Sequence, residues 1–233
     1  STKVYSGINL NSFKYNTVTA NWETIAPLPD VQGKIAASAN TVKNKIYIIG
    51  GYHVNANGSE VSSVKVHIFD PVTNAYLADG TDIPIAIDDQ VQAVWRDSLI
   101  YVVTGWSNTS NVPNVQIYDP ANDNWLVGTS TPNLVQYKMF GASGVIIGDT
   151  IYYSGGVTSG LNFVATPYLR KGVIDANDPT QITWTLEQNN PGANGYRSAA
   201  ASYKKYCFWI GGAGVSYNYN GMAYNGSGGV EPT

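Results

Sequence analysis

The chain contains very little cysteine and histidine. Its 233 residues include one cysteine, Cys207, and two histidines, His53 and His67. A single cysteine excludes a disulfide framework within the chain and any metal site with several cysteine ligands. Cys207 lies in an apolar stretch, where a small buried side chain is expected. His53 alone is a poor metal site, so we expect neither a metal nor a cofactor.

Charged residues and long apolar runs are scarce as well. Charged residues make up 12% of the chain, and the formal net charge is −3. Because no basic run or stripe occurs, the sequence has no footprint for a nucleic acid. The apolar runs have the length of β-strands, which argues against a membrane span. Lysine and glutamate are few, whereas asparagine, threonine and tyrosine are abundant. This balance favours an extracellular or cell-surface location.

The dominant feature of the sequence is a repeat. An aromatic and β-branched run that ends in glycine occurs at residues 46–51, 101–105, 152–156 and 208–212. These runs recur about every 50 residues, a period that is typical of repeat architectures. A run of small residues precedes each copy, at residues 35–39, 91–94, 141–144 and 198–202. No stretch of the chain has a convincing helical period.

An Asp-Pro turn follows the first two glycine-ended runs. Residues 67–71 lead to Tyr76 and residues 116–120 lead to Trp125, through asparagine-rich turns that are typical of β-hairpins. The third repeat is looser at this place and reaches Trp184. Each repeat therefore predicts four strands: a small inner strand, a glycine-ended strand, an Asp-Pro strand and an outer strand. Four-stranded sheets repeated around an axis form a β-propeller.

These landmarks resemble the kelch repeat, in which a hydrophobic strand ends in Gly-Gly and is followed by Tyr-Asp-Pro and then Trp. The third repeat lacks Tyr-Asp-Pro, and Thr104 replaces the first glycine in the second repeat. The resemblance implies an all-β fold, a β-propeller of four-stranded kelch-like blades. It divides a single domain, residues 1–233, into repeats at about 34–83, 84–132 and 133–190, with a split repeat formed by 191–233 and 4–29.

The two ends of the sequence allow two interpretations. Tyr15 and Trp22 match the aromatic pair of a third and fourth strand, whereas residues 197–212 supply only the first two strands of a repeat. Pairing of these segments would close a ring of four blades with no open edge. Alternatively, the chain is part of a larger ring. Kelch propellers usually have six or seven blades, and residues 3–7 resemble the end of another glycine-ended strand.

The predicted binding site is the loop face at one mouth of the central channel. Because neighbouring strands are antiparallel, the segments after each glycine-ended strand meet the residues that open each inner strand. The candidate ligand-binding residues are Lys34, Tyr52, His53, Asp89, Trp106, Lys138, Tyr196 and Arg197. In structures similar to kelch propellers, a basic residue that opens the inner strand often binds ligand, and Lys34, Lys138 and Arg197 match that place. Asp88 and Asp89 depart from the pattern, which argues against a purely anionic ligand.

We expect a non-catalytic recognition module that binds a glycan or a protein through this face. Aromatic faces stack on sugars or peptide side chains, and asparagine and arginine supply directed hydrogen bonds. No Ser-His-Asp order or phosphate loop occurs. A kelch-like copper radical oxidase would need a tyrosine–cysteine cofactor and histidine ligands, so oxidase activity is not expected.

Two alternatives remain open. The first is a carbohydrate-active enzyme, similar to kelch-like sialic-acid epimerases, that uses Asp88, Asp89, Lys138 and Arg197 for acid–base chemistry. The second is a scaffold subunit that joins a larger assembly through its rim or through the tail from Tyr217 onward.

Overall fold

The computed structural model of the protein describes residues 9–159, 163–192 and 195–224. Within these ranges the chain consists of β-strands, turns and irregular segments, without a helix. Accordingly, the described residues include no helix that could span a membrane. The all-β fold class predicted from the sequence is confirmed.

Three sheets of four or five strands, blades 1 to 3, lie between two hairpins. The first hairpin contains β1 (Ser12–Asn16) and β2 (Asn21–Ile25). Blade 1 contains β3 (Ile35–Val42), β4 (Lys45–Val54), β5 (Glu60–Ser62), β6 (Val66–Asp70) and β7 (Ala75–Tyr76). Blade 2, with a small side hairpin, contains β8 (Val91–Trp95), β9 (Leu99–Val103), β10 (Trp106–Ser107), β11 (Ser110–Asn111), β12 (Val115–Asp119) and β13 (Asn124–Gly128). Blade 3 contains β14 (Phe140–Ile147), β15 (Thr150–Val157), β16 (Leu169–Ile174) and β17 (Ile182–Leu186). The last hairpin contains β18 (Ala199–Tyr203) and β19 (Tyr206–Ile210).

The aromatic spacing seen in the sequence sets the register of the outer hairpins. Phe69 pairs with Tyr76 and Tyr118 pairs with Trp125 across antiparallel strands, with ring centroids 5.1 and 5.0 Å apart. Such cross-strand aromatic pairs stabilise a hairpin by roughly 0.2–1 kcal/mol each. In blade 3 the position opposite Trp184 is Gly172, where a Cβ would overlap the indole ring. Trp184 packs on Tyr153 instead, at 6.0 Å.

The Gly-Gly pairs permit close contact between strands. Gly51 has a φ of 82°, and a Cβ on it would lie 2.8 Å from Cβ of Ala37 on the neighbouring inner strand. Thr104 occupies the equivalent of the first glycine with a φ of 48°. Its hydroxyl donates to the Val112 carbonyl at 2.7 Å and accepts from the Met139 N–H at 2.9 Å. These two bonds offset the unfavourable backbone conformation.

The inner strands line an axial channel. Strands β3, β8, β14 and β18 lie side by side in that order. They line a channel of about 380 Å³ in which small side chains predominate, among them Ala36, Ser38, Ala142, Ser143 and Ala200. Small residues therefore occupy the place that the sequence predicts, where the copies of the inner strand crowd around an axis.

A belt of backbone hydrogen bonds crosses from blade to blade at one mouth of this channel. The N–H of Asp89 donates to the carbonyl of Ala36 at 3.1 Å, that of Gly141 to Asp89 at 2.8 Å, and that of Arg197 to Gly141 at 2.8 Å. The φ angles of Ala36, Asp89, Gly141 and Arg197 are 53°, 49°, 66° and 56°. This left-handed conformation costs a residue with a side chain roughly 1–2 kcal/mol. The same bulge thus opens every inner strand.

Apolar cores fill the spaces between blades. Tyr47, Ile87 and Tyr118 are buried between blades 1 and 2, and Tyr101 and Tyr153 between blades 2 and 3. The outer tryptophans join neighbouring blades, because Trp125 donates to the carbonyl of Thr81 at 2.8 Å and Trp184 to that of Thr129 at 3.0 Å. Each of these carbonyls belongs to the segment that leaves the preceding blade. The two repeat tryptophans therefore serve inter-blade packing.

The two terminal hairpins form separate sheets. β1 pairs only with β2, and β18 only with β19, among the residues the structure describes. The pairing of these hairpins, which one of the two interpretations of the sequence required for a ring of four blades, is therefore not present among these residues. The reason is that each hairpin is held by its neighbour in sequence: Ser12 hydrogen-bonds Tyr76 of blade 1, whereas β18 packs beside β14 of blade 3. Residues 3–7, which suggested a further strand, lie outside the described residues.

Cys207 differs from its expected burial. It lies in β19 and is only partly buried. Its neighbours on the same strand, Phe208 and Ile210, remain 44% and 65% exposed. Because this hairpin has a packed blade on one side only, its residues are less covered than the equivalent strands of blades 2 and 3.

Candidate functional site

A cavity of about 190 Å³ lies at the mouth of the channel, above the belt of backbone hydrogen bonds. Segments from every blade and from the last hairpin contribute to it. Its charged and polar lining consists of Glu60, Asp88, Asp89, Asn108, Arg197 and Asn218. Its aromatic lining consists of Tyr52, Trp106, Phe140, Phe163 and Tyr224. We call this space the mouth cavity.

Four predicted residues meet in the mouth cavity: Tyr52, Asp89, Trp106 and Arg197. Tyr52 and Trp106 follow the glycine-ended strands of blades 1 and 2, and Asp89 and Arg197 open inner strands. The geometric argument from antiparallel strands therefore brings these residues to one place.

Asp89 and Arg197 form a two-pronged ion pair across the cavity floor. Nε of Arg197 donates to Oδ1 of Asp89 at 2.9 Å, and its Nη2 donates to Oδ2 at 2.7 Å. The guanidinium lies over the rings of Tyr196 and Tyr217, 4.8 and 5.3 Å from their centroids. Asp89 thus occupies Nε and Nη2 of Arg197, and aromatic rings cover the guanidinium face. Burial acts to lower the pKa of Arg197, but the hydrogen bonds and the charge of Asp89 raise it above its usual range.

Asp88 is buried beside this pair and carries a proton at neutral pH. Burial raises the pKa of Asp88 to about 8, the charges of Asp89 and Glu60 act in the same direction, and a hydrogen bond from Ser62 opposes them. The hydroxyl of Ser62 donates to Oδ2 of Asp88 at 2.5 Å. Asn108 completes the network, since its N–H donates to the Ser62 hydroxyl at 2.8 Å and its side-chain oxygen accepts from the Ser62 N–H at 3.1 Å. This network ties β5 of blade 1 to the turn between β10 and β11.

Glu60 forms the opposite wall. Its carboxylate accepts a hydrogen bond from Nδ2 of Asn218 at 2.9 Å. It forms no salt bridge with any residue in the described part of the chain. Burial raises the pKa of the nearby Tyr224 hydroxyl, and the negative charge of Glu60 raises it further. Glu60 is therefore an unpaired negative charge at the edge of the cavity.

The aromatic wall is a connected cluster. Ring centroids lie 5.4 Å apart for Trp106 and Phe140, 5.8 Å for Trp106 and Phe163, and 4.7 Å for Phe163 and Tyr224. Phe140 is buried at 4% exposure, whereas Trp106, Phe163 and Tyr224 keep intermediate exposure. Part of the aromatic surface is therefore available to a ligand. The segment from Tyr217 to Tyr224, predicted as a tail, folds back over the mouth and contributes Asn218 and Tyr224 to the cavity lining.

Lys34 lies elsewhere than predicted. Its ammonium is buried in blade 1 and donates to the Gly50 carbonyl at 2.9 Å and to Oγ of Ser63 at 2.8 Å. The carboxylate of Asp30 is 3.4 Å away. Burial lowers the pKa of Lys34, and Asp30 counteracts this. Lys34 stabilises the turn that enters blade 1 and does not line the mouth cavity.

Three further predicted residues do not line the mouth cavity either. His53 follows Tyr52 on β4, and since successive side chains of a strand point to opposite faces, it lines a separate groove beside Asp30 and His67. Lys138 is not among the residues that line the cavity, and its backbone carbonyl accepts a hydrogen bond from Nδ2 of Asn111 at 3.3 Å. Tyr196 is fully buried beneath the cavity, and its hydroxyl donates to the Tyr217 carbonyl at 3.2 Å.

Sequence reasoning missed Glu60, Phe140 and Tyr224. Glu60 lies on β5, a three-residue strand that carries no repeat signal. Phe140 immediately precedes the small residues of the third inner strand. Its position at the start of that strand could have placed it at the mouth of the channel. Among the described residues, no group of three histidine, cysteine, aspartate or glutamate side chains could hold a metal ion.

Comparisons with known proteins agree with this architecture. Residues 36–76, which span β3 to β7, match the family model of the Kelch motif. Kelch-like protein 25 of Xenopus tropicalis is 23% identical over 163 residues, covering 66% of this chain and 26% of that protein. Human kelch-like protein 15 is 25% identical over 138 residues, covering 59% of this chain and 21% of that protein. The chain spans about a quarter of the length of these curated relatives.

A solved structure extends the likeness to nearly the whole chain. The structure titled "Structure of YjhT" superposes with a TM-score of 0.76 and covers 94% of this chain and 71% of its own. Its sequence identity is 17%, so it indicates the fold alone. The predicted resemblance is confirmed: the chain carries kelch repeats arranged as a β-propeller.

Proposed function

We propose that this protein is a recognition module that binds a protein partner through the mouth cavity. One observation carries the proposal: Tyr52, Trp106 and Phe163, from three different blades, converge on a cavity that also contains directed polar groups. Aromatic residues with some exposed surface and a few placed polar groups are typical of the central part of protein interfaces. The similarity to proteins named kelch-like is consistent with this role.

The size of the cavity favours one inserted side chain over a long ligand. Its volume of about 190 Å³ is below the roughly 300–1,000 Å³ that is typical of small-molecule sites. An oligosaccharide would extend beyond it, whereas a protein partner can insert one residue and contact the surrounding rim. A protein ligand therefore accounts for the cavity better than a glycan does.

The geometry weakens the enzymatic alternative. That hypothesis uses Asp88 and Asp89 for acid–base chemistry with Lys138 and Arg197. Asp89 is engaged by both donor atoms of Arg197, and the side chain of Lys138 does not line the cavity. Asp89 is therefore not the free carboxylate base that this hypothesis requires. Loss of a sugar-converting activity in an Asp89→Asn variant that keeps the circular dichroism spectrum of the wild type would restore the enzymatic hypothesis.

The proposal includes an extracellular or cell-surface location, supported by the low content of charged residues. Surface labelling of intact producing cells with a membrane-impermeant amine reagent tests it. Labelling equal to that of a known surface protein agrees with this location, and labelling only after lysis contradicts it.

Selection from a random peptide library on the immobilised protein tests the binding function. Selected peptides are then measured against Trp106→Leu and against Trp22→Leu, a matched control, since Trp22 is 71% exposed on the first hairpin. We expect Trp106→Leu to weaken binding about tenfold or more, as for a hot-spot aromatic residue, and Trp22→Leu to leave it unchanged. Peptides that bind both variants like the wild type would contradict the proposal. A glycan array that gives Trp106-dependent binding, with no such peptide, would favour a glycan ligand.

A further inference from the structure

We propose that the mouth cavity accepts a cationic side chain, that of a lysine or an arginine, from the protein partner. This inference rests on the proposed function and specifies the chemistry of the residue that the partner inserts. The argument combines the unpaired charge of Glu60, the aromatic wall and the engagement of Arg197.

The charges that line the mouth cavity leave one negative charge without a partner. Asp89 and Arg197 neutralise one another at 2.7 and 2.9 Å. Asp88 is protonated at neutral pH, and its ionisation would only add negative charge. Glu60 remains, held by the amide of Asn218 and with no salt bridge in the described ranges. A ligand that brings one positive charge would balance the cavity.

The aromatic wall favours the same kind of ligand. Trp106, Phe163 and Tyr224 keep exposed surface. The ring centroid of Phe163 lies within 6 Å of the ring centroids of both Trp106 and Tyr224. A cation near an aromatic face gains roughly 0.5–1 kcal/mol at an exposed site and about 2 kcal/mol or more when it is desolvated. The long aliphatic stems of lysine and arginine also bury apolar surface while the charged group reaches a carboxylate.

The charges of the cavity disfavour an anionic ligand. Arg197 is the only cationic residue among those that line it. Its carboxylate partner and its two tyrosine rings occupy the side chain. A carboxylate or phosphate would compete with Asp89 for Arg197, and it would face the negative charge of Glu60.

The test uses two small probes that differ in charge and little in shape. N-acetyl-arginine methylamide is the cation, and N-acetyl-citrulline methylamide is its neutral counterpart. Binding is followed on the indole N–H of Trp106 in ¹H–¹⁵N correlation spectra. We expect a saturable shift with the arginine probe at a dissociation constant on the order of 1 mM, and a response at least about tenfold weaker with the citrulline probe.

Two charge-removing variants make the test specific. Glu60→Gln keeps a side-chain oxygen that can accept the hydrogen bond from Asn218, so the fold should be preserved. Unchanged signals from residues outside the mouth cavity in the ¹H–¹⁵N spectrum would verify this. Glu60→Gln is expected to weaken binding of the arginine probe about tenfold. Glu23→Gln removes the same charge from the first hairpin, where Glu23 pairs with Lys14 at 3.0 Å, and is expected to change nothing. Equal binding of both probes, an unchanged Glu60→Gln response, or no shift of Trp106 would each overturn the inference.

The outcome separates the inference from the proposed function. Selected peptides that require Trp106 but show no enrichment in lysine or arginine, together with no arginine-probe response, would refute the cation and retain the binding module. Peptides that never depend on Trp106 would refute the binding module, whatever the arginine probe does.

Discussion

The carboxylate of Asp89 and the guanidinium of Arg197 meet across the channel mouth although the residues open inner strands on opposite sides of Gly141. Their backbones are also linked, since Gly141 accepts from the N–H of Arg197 and donates to the carbonyl of Asp89. One ion pair therefore spans the same blade-to-blade path as the backbone belt. The side chains are 7% and 22% exposed, so water screens their attraction only partly.

Removal of either partner of this pair should destabilise the fold. Asp89→Asn or Arg197→Met leaves a largely buried charge unpaired, and we expect each to lower the free energy of unfolding by about 3 kcal/mol. The double variant should lose less than the sum of the two. Urea unfolding in a double-mutant cycle measures this coupling. Strict additivity would contradict it, and the exposed pair Lys14–Glu23 is the control, with coupling below about 1 kcal/mol.

The protonation of Asp88 predicts a specific dependence of stability on pH. Its pKa is about 8 in the folded protein and about 3.9 in the unfolded chain. Between these values the folded state binds the extra proton, so the stability that this proton contributes is fully present below about pH 3.9, falls as pH rises through this window, and is lost above about pH 8. Asp88→Asn should remove this part of the slope and be more stable than the wild type at pH 8.5.

Thermal unfolding between pH 5 and 9 tests this prediction. Asp82→Asn is the control, because Asp82 is half-exposed beside Lys65 at 3.0 Å and should leave the slope unchanged. Parallel curves for the wild type and Asp88→Asn would show that Asp88 ionises normally in the folded state.

Arg170 provides a third prediction. Its side chain is fully buried in blade 3 and donates to the carbonyls of Gln136, Gly155 and Tyr168 at 2.6–2.9 Å. Burial lowers the pKa of Arg170 to about 10, so it remains charged at neutral pH. Arg170→Met removes these three hydrogen bonds to a charged donor and leaves the partly buried Gln136 carbonyl without the arginine, so it should cost about 3 kcal/mol or more of the free energy of unfolding. Arg170→Lys should restore only a part, because a lysine lacks the planar set of donors.

Chemical denaturation of both variants gives these differences. Lys171→Met, at the neighbouring and partly exposed position, is the matched control and should change stability by less than about 0.5 kcal/mol. A small loss in Arg170→Met would mean that water or a repacked chain satisfies the three carbonyls.

Alanine substitutions at two glycines with similar φ angles distinguish the energetic cost of a left-handed backbone from the cost of steric overlap. Gly141 and Gly148 have φ angles of 66° and 60°. A Cβ on Gly141 would overlap the ring of Tyr196, whereas no atom lies within 4 Å of one on Gly148. Gly148→Ala should therefore cost only the left-handed backbone, roughly 1–2 kcal/mol. Gly141→Ala should cost clearly more, and equal melting temperatures of the two variants would contradict the overlap.

Part of the fold and of the site could be predicted from the sequence. Phe69 with Tyr76 and Tyr118 with Trp125 signal hairpins because cross-strand pairing follows from residue spacing. Tyr52 and Trp106 could be located because each directly follows a repeated strand. His53 could have been excluded by the same reasoning, since it alternates with Tyr52 along β4.

The sequence by itself determined the all-β architecture, the kelch repeats and the positions of the inner strands. Spacing, side-chain size and turn chemistry act between residues that are close along the chain, so they can be read from it. Only the tertiary structure decided that Arg197 pairs with Asp89, that Lys34 is buried on Gly50 and that Glu60 stays unpaired. Burial and charge compensation depend on distances across blades, and those distances exist only in the folded protein.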